Sequence, residues 1–140
     1  MSTETKPAYS PGLAGVVAGE TAICWVDPNA GLMYRGYDIH DMAQQANFEE
    51  VAYLLLNGEL PNGGELATFT RAIVAERELP KAVFELLRLL PKGMHPMDAL
   101  RTGVSMLGAY DPELNDHSHD ANVRKAIRLI AKVSTLITDG

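Results

Sequence analysis

The stretch PMDALRTGVSMLGAY, residues 96–110, has the periodicity of an amphipathic helix. At about 100° per residue, its apolar side chains, Val104 and Leu107 among them, fall on one half of the helical wheel. Asp98 and Arg101 fall on the other half and are expected to form an ordinary surface ion pair. Gly103 lies on the apolar half, where it permits a neighbouring element to approach closely.

A second long helix is predicted at residues 121–138, ANVRKAIRLIAKVSTLIT, with Asp120 as its N-terminal cap. Its basic side chains form one stripe on the helical wheel, and its apolar side chains occupy more than half of the remaining circumference. An arc this wide needs cover on two sides, and the chain ends at Gly140 just where such a cover should follow. The basic stripe consists of Arg124, Lys125, Arg128 and Lys132.

Four shorter helices are expected upstream of this pair. Asp38 can cap a helix through residue 45, and Asn47 with Glu50 forms a capping box for the next one, which Gly58 ends. A third helix is predicted at residues 64–77. Pro80 takes an N1-like position in a fourth, which runs through residue 90. His95 is expected to cap the helix at 96–110.

The N-terminal region predicts strands rather than helices. Residues 22–26 and 32–37 read as two short strands, and Asp27-Pro28-Asn29-Ala30-Gly31 between them is strong turn chemistry. Residues 1–11 are a polar tail. The expected fold class is therefore mainly α, a helical bundle-like domain over residues 12–140 with a small N-terminal β-hairpin.

Composition excludes several classes of protein. The chain has 140 residues, 46% apolar and 21% charged, which is typical of one globular domain. Its net charge of −6 and its lack of a basic cluster argue against nucleic-acid binding. Apolar runs are too short for a membrane span, and a single cysteine, Cys24, cannot form an intramolecular disulfide. We expect a cytoplasmic protein.

No complete catalytic or metal-binding constellation is recognisable in the sequence. His117 and His119 are close together, but no further ligand is evident, so a solvated loop and no metal are expected. His40 is expected to be exposed. Ser105 lacks the flanking glycines and the strand-to-helix turn of a hydrolase elbow. The glycines between residues 12 and 19 match no nucleotide-binding loop.

Five blocks in order nevertheless resemble the N-terminal part of citrate synthases, 2-methylcitrate synthases included. The blocks are GLAGVVAGETAI (12–23), YRGYDI (34–39), FEEVAYLL (48–55), GELP (58–61) and HPMDALRTGVS (95–105), and a Leu-Gly pair follows at 107–108. Together they cover some nine-tenths of the chain. The resemblance implies the N-terminal part of the family's large helical domain.

The resemblance also implies a chemistry, namely condensation of an acyl-CoA with oxaloacetate and hydrolysis of the thioester, without a metal or other cofactor. Family chains are more than twice as long, and their catalytic histidines and aspartate lie in the part that is missing here. None of the histidines of this chain matches those positions, so no catalytic or substrate-binding role is transferred and the chain alone is expected to be inactive.

In the family, the helix that opens with the His-Pro-Met motif and the helix after it pack across the axis of a homodimer. They correspond to the helices predicted here at residues 96–110 and 121–138. The residues expected at such a contact are Leu100, Gly103, Val104, Leu107, Ile127, Ile130 and Ile137. A homodimer, or pairing with a C-terminal synthase portion, is therefore expected. A free-standing, non-catalytic dimerisation or regulatory protein derived from a synthase remains the alternative.

Overall fold

A computed structural model describes residues 12–13, 16–29 and 31–139, without the side chain of residue 139. Six helices follow a small sheet in this part of the chain, so the expected mainly α class is confirmed. The predicted polar tail at residues 1–11 lies outside the described residues. Among those residues, no helix combines the length and the apolar character needed to cross a bilayer.

The sheet is antiparallel and has the strand order β1 (Cys24–Asp27), β2 (Gly31–Tyr34), β3 (Tyr37–Asp38). The predicted hairpin is confirmed, and Asp27 Oδ1 accepts a hydrogen bond from the Asn29 N–H at 2.8 Å in its turn. The prediction of one continuous strand at 32–37 is wrong. Arg35 and Gly36 have φ values of 50° and 90°, and this left-handed pair turns the chain back into β3.

The two helices after the sheet begin as the sequence predicts. Asp38 caps α1 (Ile39–Gln45) by accepting from the His40 N–H at 2.7 Å. Asn47 and Glu50 form the reciprocal capping box of α2 (Phe48–Asn57), which ends at the left-handed Gly58. These local bonds satisfy backbone groups that a helix end would otherwise leave unpaired.

Three later helix starts differ from prediction. α3 (Gly63–Ala75) begins earlier because Asn62 and Glu65 form a second capping box. Pro80 is the N-cap of α4 (Lys81–Leu89) rather than its first residue. α6 (His119–Asp139) includes Asp120 in its first turn, so the prediction of Asp120 as a cap is wrong. The Ser118 hydroxyl instead accepts from the Ala121 N–H at 3.3 Å.

Helix α6 joins the two hydrophobic clusters of the core. Ala131 of α6 packs in a cluster with side chains of α2 and α3, namely Ala52, Phe69 and Ile73. Five residues later, Leu136 packs in a second cluster with Leu79, Val83 and Leu107, so it reaches α4 and α5 (Pro96–Ala109). Side chains of α3 and α5 thus cover two sides of α6 within one chain. For this part of the apolar arc, the expectation that the cover would have to follow the end of the chain is wrong.

Candidate functional site

The seven residues predicted at the subunit contact differ in how deeply they are buried within one chain. Gly103 and Leu107 are buried inside the chain, and a Cβ atom on Gly103 would lie 3.0 Å from Leu136 Cδ2. The close neighbour that Gly103 admits is therefore α6 of the same chain. Leu100 and Val104 are half-buried against the same cluster.

The other three predicted contact residues belong to α6. Ile127 and Ile130 are half-buried against the cluster of α2 and α3, whereas the side chain of Ile137 is 65% exposed. Part of the apolar arc thus serves the core of one chain, and a smaller part remains open to a second partner. The subunit contact stays a prediction, and Ile137 is its most accessible member.

The loop between α5 and α6 is held by the basic stripe. Arg128, whose side chain is only 15% exposed, donates through Nε to Asp111 Oδ2 at 3.0 Å and through Nη2 to Glu113 Oε2 at 2.6 Å. Arg124 donates from Nε to Glu113 Oε1 at 2.9 Å. Ion pairs therefore fix this loop against the first turns of α6. We refer to Asp111, Glu113, Arg124 and Arg128 as the loop clamp.

The clamp also determines which carboxylates remain ionised. Hydrogen bonds from Arg124 and Arg128 lower the pKa of Glu113 to about 2. Burial raises the pKa of Asp111, but hydrogen bonds from the Glu113 N–H and from Arg128 outweigh it, and the net pKa is lowered. Both groups are thus charged partners in a structural network, and neither has the raised pKa of a general acid.

The other two cations of the basic stripe, Lys125 and Lys132, also have hydrogen-bond acceptors within the chain. Lys132 Nζ donates to the carbonyl of Glu76 at 2.6 Å and to its carboxylate at 2.8 Å, where α3 ends. Lys125 Nζ donates to the Asp116 carbonyl. Four cations in one stripe could suggest an anion-binding surface, but each of them has an acceptor within the chain.

The histidines have local roles or are exposed. His95 Nδ1 accepts from the Met97 N–H at 3.2 Å, which confirms the predicted cap of α5. His40, His117 and His119 are exposed. His119 is however the first residue of α6, so the prediction of a loop at both His117 and His119 is wrong for His119. The part of the chain that the structure describes contains no group of three or more His, Cys, Asp or Glu side chains that could hold a metal ion. Ser105 lies exposed in the middle of α5.

An apolar groove of about 640 Å³ lies at one end of α5. It is bordered by the end of α4, the connecting segment and the last turns of α6. Two predicted contact residues, Leu100 and Ile137, line it together with the cations Arg88 and Lys92. Sequence reasoning missed this groove because its walls come from two stretches that are distant in the sequence, residues 87–100 and residues 136–137.

Comparison with known proteins assigns the family. The model of the citrate synthase C-terminal domain family matches residues 12–139. This chain belongs to the citrate synthase family. It is 42% identical over 134 residues to the citrate/2-methylcitrate synthase of Bacillus subtilis (strain 168), a match that covers 95% of this chain and 36% of that protein.

Other citrate synthase relatives give the same result. The 2-methylcitrate synthase of Mycobacterium tuberculosis (strain H37Rv) is 43% identical over 137 residues, which are 97% of this chain and 34% of that protein. The crystal structure of citrate synthase from Pyrobaculum aerophilum superposes with a TM-score of 0.80 at 34% identity, covering 94% of this chain and 37% of that one. The chain spans about a third of the length of the curated relatives it matches.

Proposed function

We propose that this chain is the N-terminal segment of a citrate or 2-methylcitrate synthase, and that it supplies helical scaffold and subunit contact rather than the reacting groups. The observation that carries the proposal is 42–43% identity to a citrate/2-methylcitrate synthase and to a 2-methylcitrate synthase over nearly the whole chain, together with a span of about a third of their length. The proposed reaction of the complete protein is condensation of an acyl-CoA with oxaloacetate, then thioester hydrolysis.

Inactivity of the isolated chain is part of this proposal. A condensation of this type needs a base for the acyl methyl or methylene group and donors for the two carbonyl groups. The described carboxylates with shifted pKa values, Asp111, Glu113 and Asp116, are all shifted downward by hydrogen-bond donors. His95 uses Nδ1 for its helix cap. These groups act in folding, and the reacting groups are expected in the remaining length of the protein.

Self-association is the second part of the proposal. Several large apolar side chains of α5 and α6 remain open to solvent, among them Met97 at 62%, Ile137 at 65% and Leu129 at 45% exposure. Contiguous exposed apolar surface is a common mark of a protein–protein contact, and soluble oligomers are most often symmetric dimers. We propose a homodimer that uses these helices, in the cytoplasm.

A chimaera tests the proposal. Residues 12–139 would replace the homologous segment of the Bacillus subtilis citrate/2-methylcitrate synthase, and CoA release from acetyl-CoA or propionyl-CoA with oxaloacetate would be measured. The proposal expects a folded chimaera with activity within about tenfold of the parent, because the segment provides no reacting group. A folded chimaera without activity would favour a free-standing dimerisation or regulatory protein instead.

A further inference from the structure

The first turn of α5 depends on one side-chain acceptor. Pro96, the first residue of the helix, has no N–H group. The Asp98 N–H donates to the backbone carbonyl of His95 at 2.9 Å. The Met97 N–H donates instead to the side chain of His95, to Nδ1 at 3.2 Å. Since the first N–H groups of a helix have no partner within it, this bond supplies an acceptor that the helix itself cannot give to Met97.

The hydrogen bond requires a neutral imidazole. Nδ1 can accept from the Met97 N–H only while it carries a lone pair, so the proton of the ring belongs on Nε2. A protonated ring carries N–H groups at both nitrogens and has no acceptor to offer. It also places a positive charge at the N-terminal end of α5, where the helix dipole disfavours cations. Protonation of His95 would therefore break the cap and add a repulsive interaction at the same place.

The charged side chains that the structure describes around this end of α5 do not take over the role of Nδ1. Arg88 at the end of α4 and Lys92 in the connecting segment line the same groove as Met97, and both are donors rather than acceptors. The carboxylate of Asp98 pairs with Arg101 at 2.9 Å. The two residues of α6 that line the groove are apolar. The first turn of α5 therefore relies on the imidazole for its side-chain cap.

We infer that His95 makes the start of α5 a pH-sensitive element, capped by the neutral imidazole and released when the ring takes up a proton. Histidine is the side chain whose charge ordinarily changes between about pH 5 and 8. The caps of α2 and α3 differ, because Asn47 and Asn62 accept through amide oxygens that do not titrate. Among these three helices, mild acid should therefore weaken α5 selectively. The inference goes beyond the proposed synthase function and does not depend on it, since both partners of the bond lie in one turn.

The direction of the pH dependence follows from the protonation state that the folded chain requires. The capped helix holds a neutral ring, whereas the unfolded chain can bind the proton without losing a contact. The stabilisation by the cap is thus complete well above about pH 6.5, where an unperturbed histidine is neutral, and is lost progressively as the pH falls below it. Glu113 of the loop clamp stays ionised in this range, because its pKa is about 2 and its ordinary value is 4.5. A comparison of pH 7.5 with pH 5.5 therefore tests the histidine apart from the clamp.

The first experiment needs no variant. NMR spectra of the complete 140-residue chain, isotope-labelled, would report on the ring nitrogens of His95 and on the amide of Met97. At pH 7.5 we expect the ring proton on Nε2 and none on Nδ1. As the ring titrates, the Met97 amide resonance should shift and its protection against hydrogen exchange should fall. The Gly64 amide is the matched control, since it donates to the Asn62 side chain at 2.9 Å and should show neither change.

Urea unfolding of variants measures the effect on stability. His95→Asn keeps a good cap residue without a titratable group, so it should stay folded. From pH 7.5 to pH 5.5, the folding equilibrium constant of the wild type should fall about threefold more than that of His95→Asn. His95→Ala, which has no cap, should be about fivefold below the wild type at pH 7.5 and less than about twofold below it at pH 5.5. His117→Asn removes an exposed histidine outside the helices and should keep the wild-type pH dependence.

A consequence for assembly rests on the proposed homodimer. Leu100, a predicted subunit-contact residue, lies in the second turn of the helix that His95 caps. Sedimentation should therefore show weaker self-association of the wild type at pH 5.5 than at pH 7.5, and a smaller change for His95→Asn. Equal changes in the two proteins, or a wild-type monomer at both pH values, would contradict this consequence, whereas the cap is judged by the spectra and the unfolding data.

Three results would overturn the inference. The first is a ring proton on Nδ1 of His95 at pH 7.5. The second is a Met97 amide whose resonance and protection do not change while the ring titrates. The third is a wild-type folding equilibrium constant with the same pH dependence as that of His95→Asn. None of these results bears on the chimaera experiment, so this inference and the proposed function fail separately.

Discussion

Helices α5 and α6 meet where Gly103 faces Leu136, and a Cβ atom on Gly103 would lie 3.0 Å from Leu136 Cδ2. Leu136 is itself buried in the cluster with Val83 and Leu107. It has little freedom to move away from a larger neighbour, because protein interiors are close-packed. The contact therefore fixes the distance between the two helices that we propose for the subunit contact.

Substitution of Gly103 tests this contact. Gly103→Leu should lower the free energy of unfolding by about 1–3 kcal/mol, since overpacking outweighs the gain in helix propensity. Gly108→Ala is a control in the same helix, because its Cβ would lie 4.0 Å from Leu114, and it should stabilise by up to about 1 kcal/mol. Urea unfolding would measure both, and equal effects of the two changes would contradict the close approach.

The loop clamp predicts a large difference between two arginines. Arg128→Met should lower the free energy of unfolding by about 1–3 kcal/mol, because Asp111 and Glu113 lose a largely buried charged donor. Arg101→Met, which breaks the exposed pair with Asp98 at 2.9 Å, should cost less than about 1 kcal/mol. Chemical denaturation of both variants measures the difference. An equal loss of unfolding free energy in the two variants would mean that the loop clamp stabilises the fold no more than a surface ion pair does.

The clamp also predicts acid sensitivity. The folded-state pKa of Glu113 is about 2, below its ordinary value of 4.5, and that of Asp111 is lowered too. The stabilisation they provide is complete above their unfolded-state pKa values and is lost as the pH falls from about 4.5 towards 2. Unfolding measured between pH 6 and pH 2.5 should show this loss. In Arg128→Met the dependence should be shallower, and an unchanged slope would contradict the assignment.

Assembly and folding can be separated on α6. Ile137→Asp should weaken self-association with little change in the free energy of unfolding of the monomer, because this side chain is exposed within one chain. Ile130→Asp should instead reduce folding itself, since Ile130 packs against the cluster of α2 and α3. Sedimentation at micromolar concentrations, with circular dichroism, would distinguish them. A well-folded wild-type monomer across that range would contradict the homodimer.

Local signals account for what the sequence predicts well. The capping pairs Asn47–Glu50 and His95–Met97 are made by residues within a few positions of each other, so the helix starts follow from residue type and spacing. The prediction that α6 needs cover on two sides also follows from periodicity alone. These features require no knowledge of which distant segments meet.

Long-range contacts explain what was missed. The Lys132–Glu76 bond joins positions 56 residues apart, and Arg128 reaches back 17 residues to Asp111, so no local pattern indicates either partner. The same limit hid the neighbour of Gly103, which is Leu136 of the same chain. The break between β2 and β3 depends on a positive φ at Arg35, a conformation that a residue other than glycine rarely adopts.

The most direct test of the central claim measures CoA release by the purified chain alone. With acetyl-CoA or propionyl-CoA and oxaloacetate, a thiol-trapping assay should give a rate equal to that of the buffer blank. The catalytic base and its partnering donors each normally raise the reaction rate by a factor of about 10²–10⁴. We propose that these groups lie in the remaining length of the protein. Saturable turnover well above the blank, retained after repeated purification, would contradict the account.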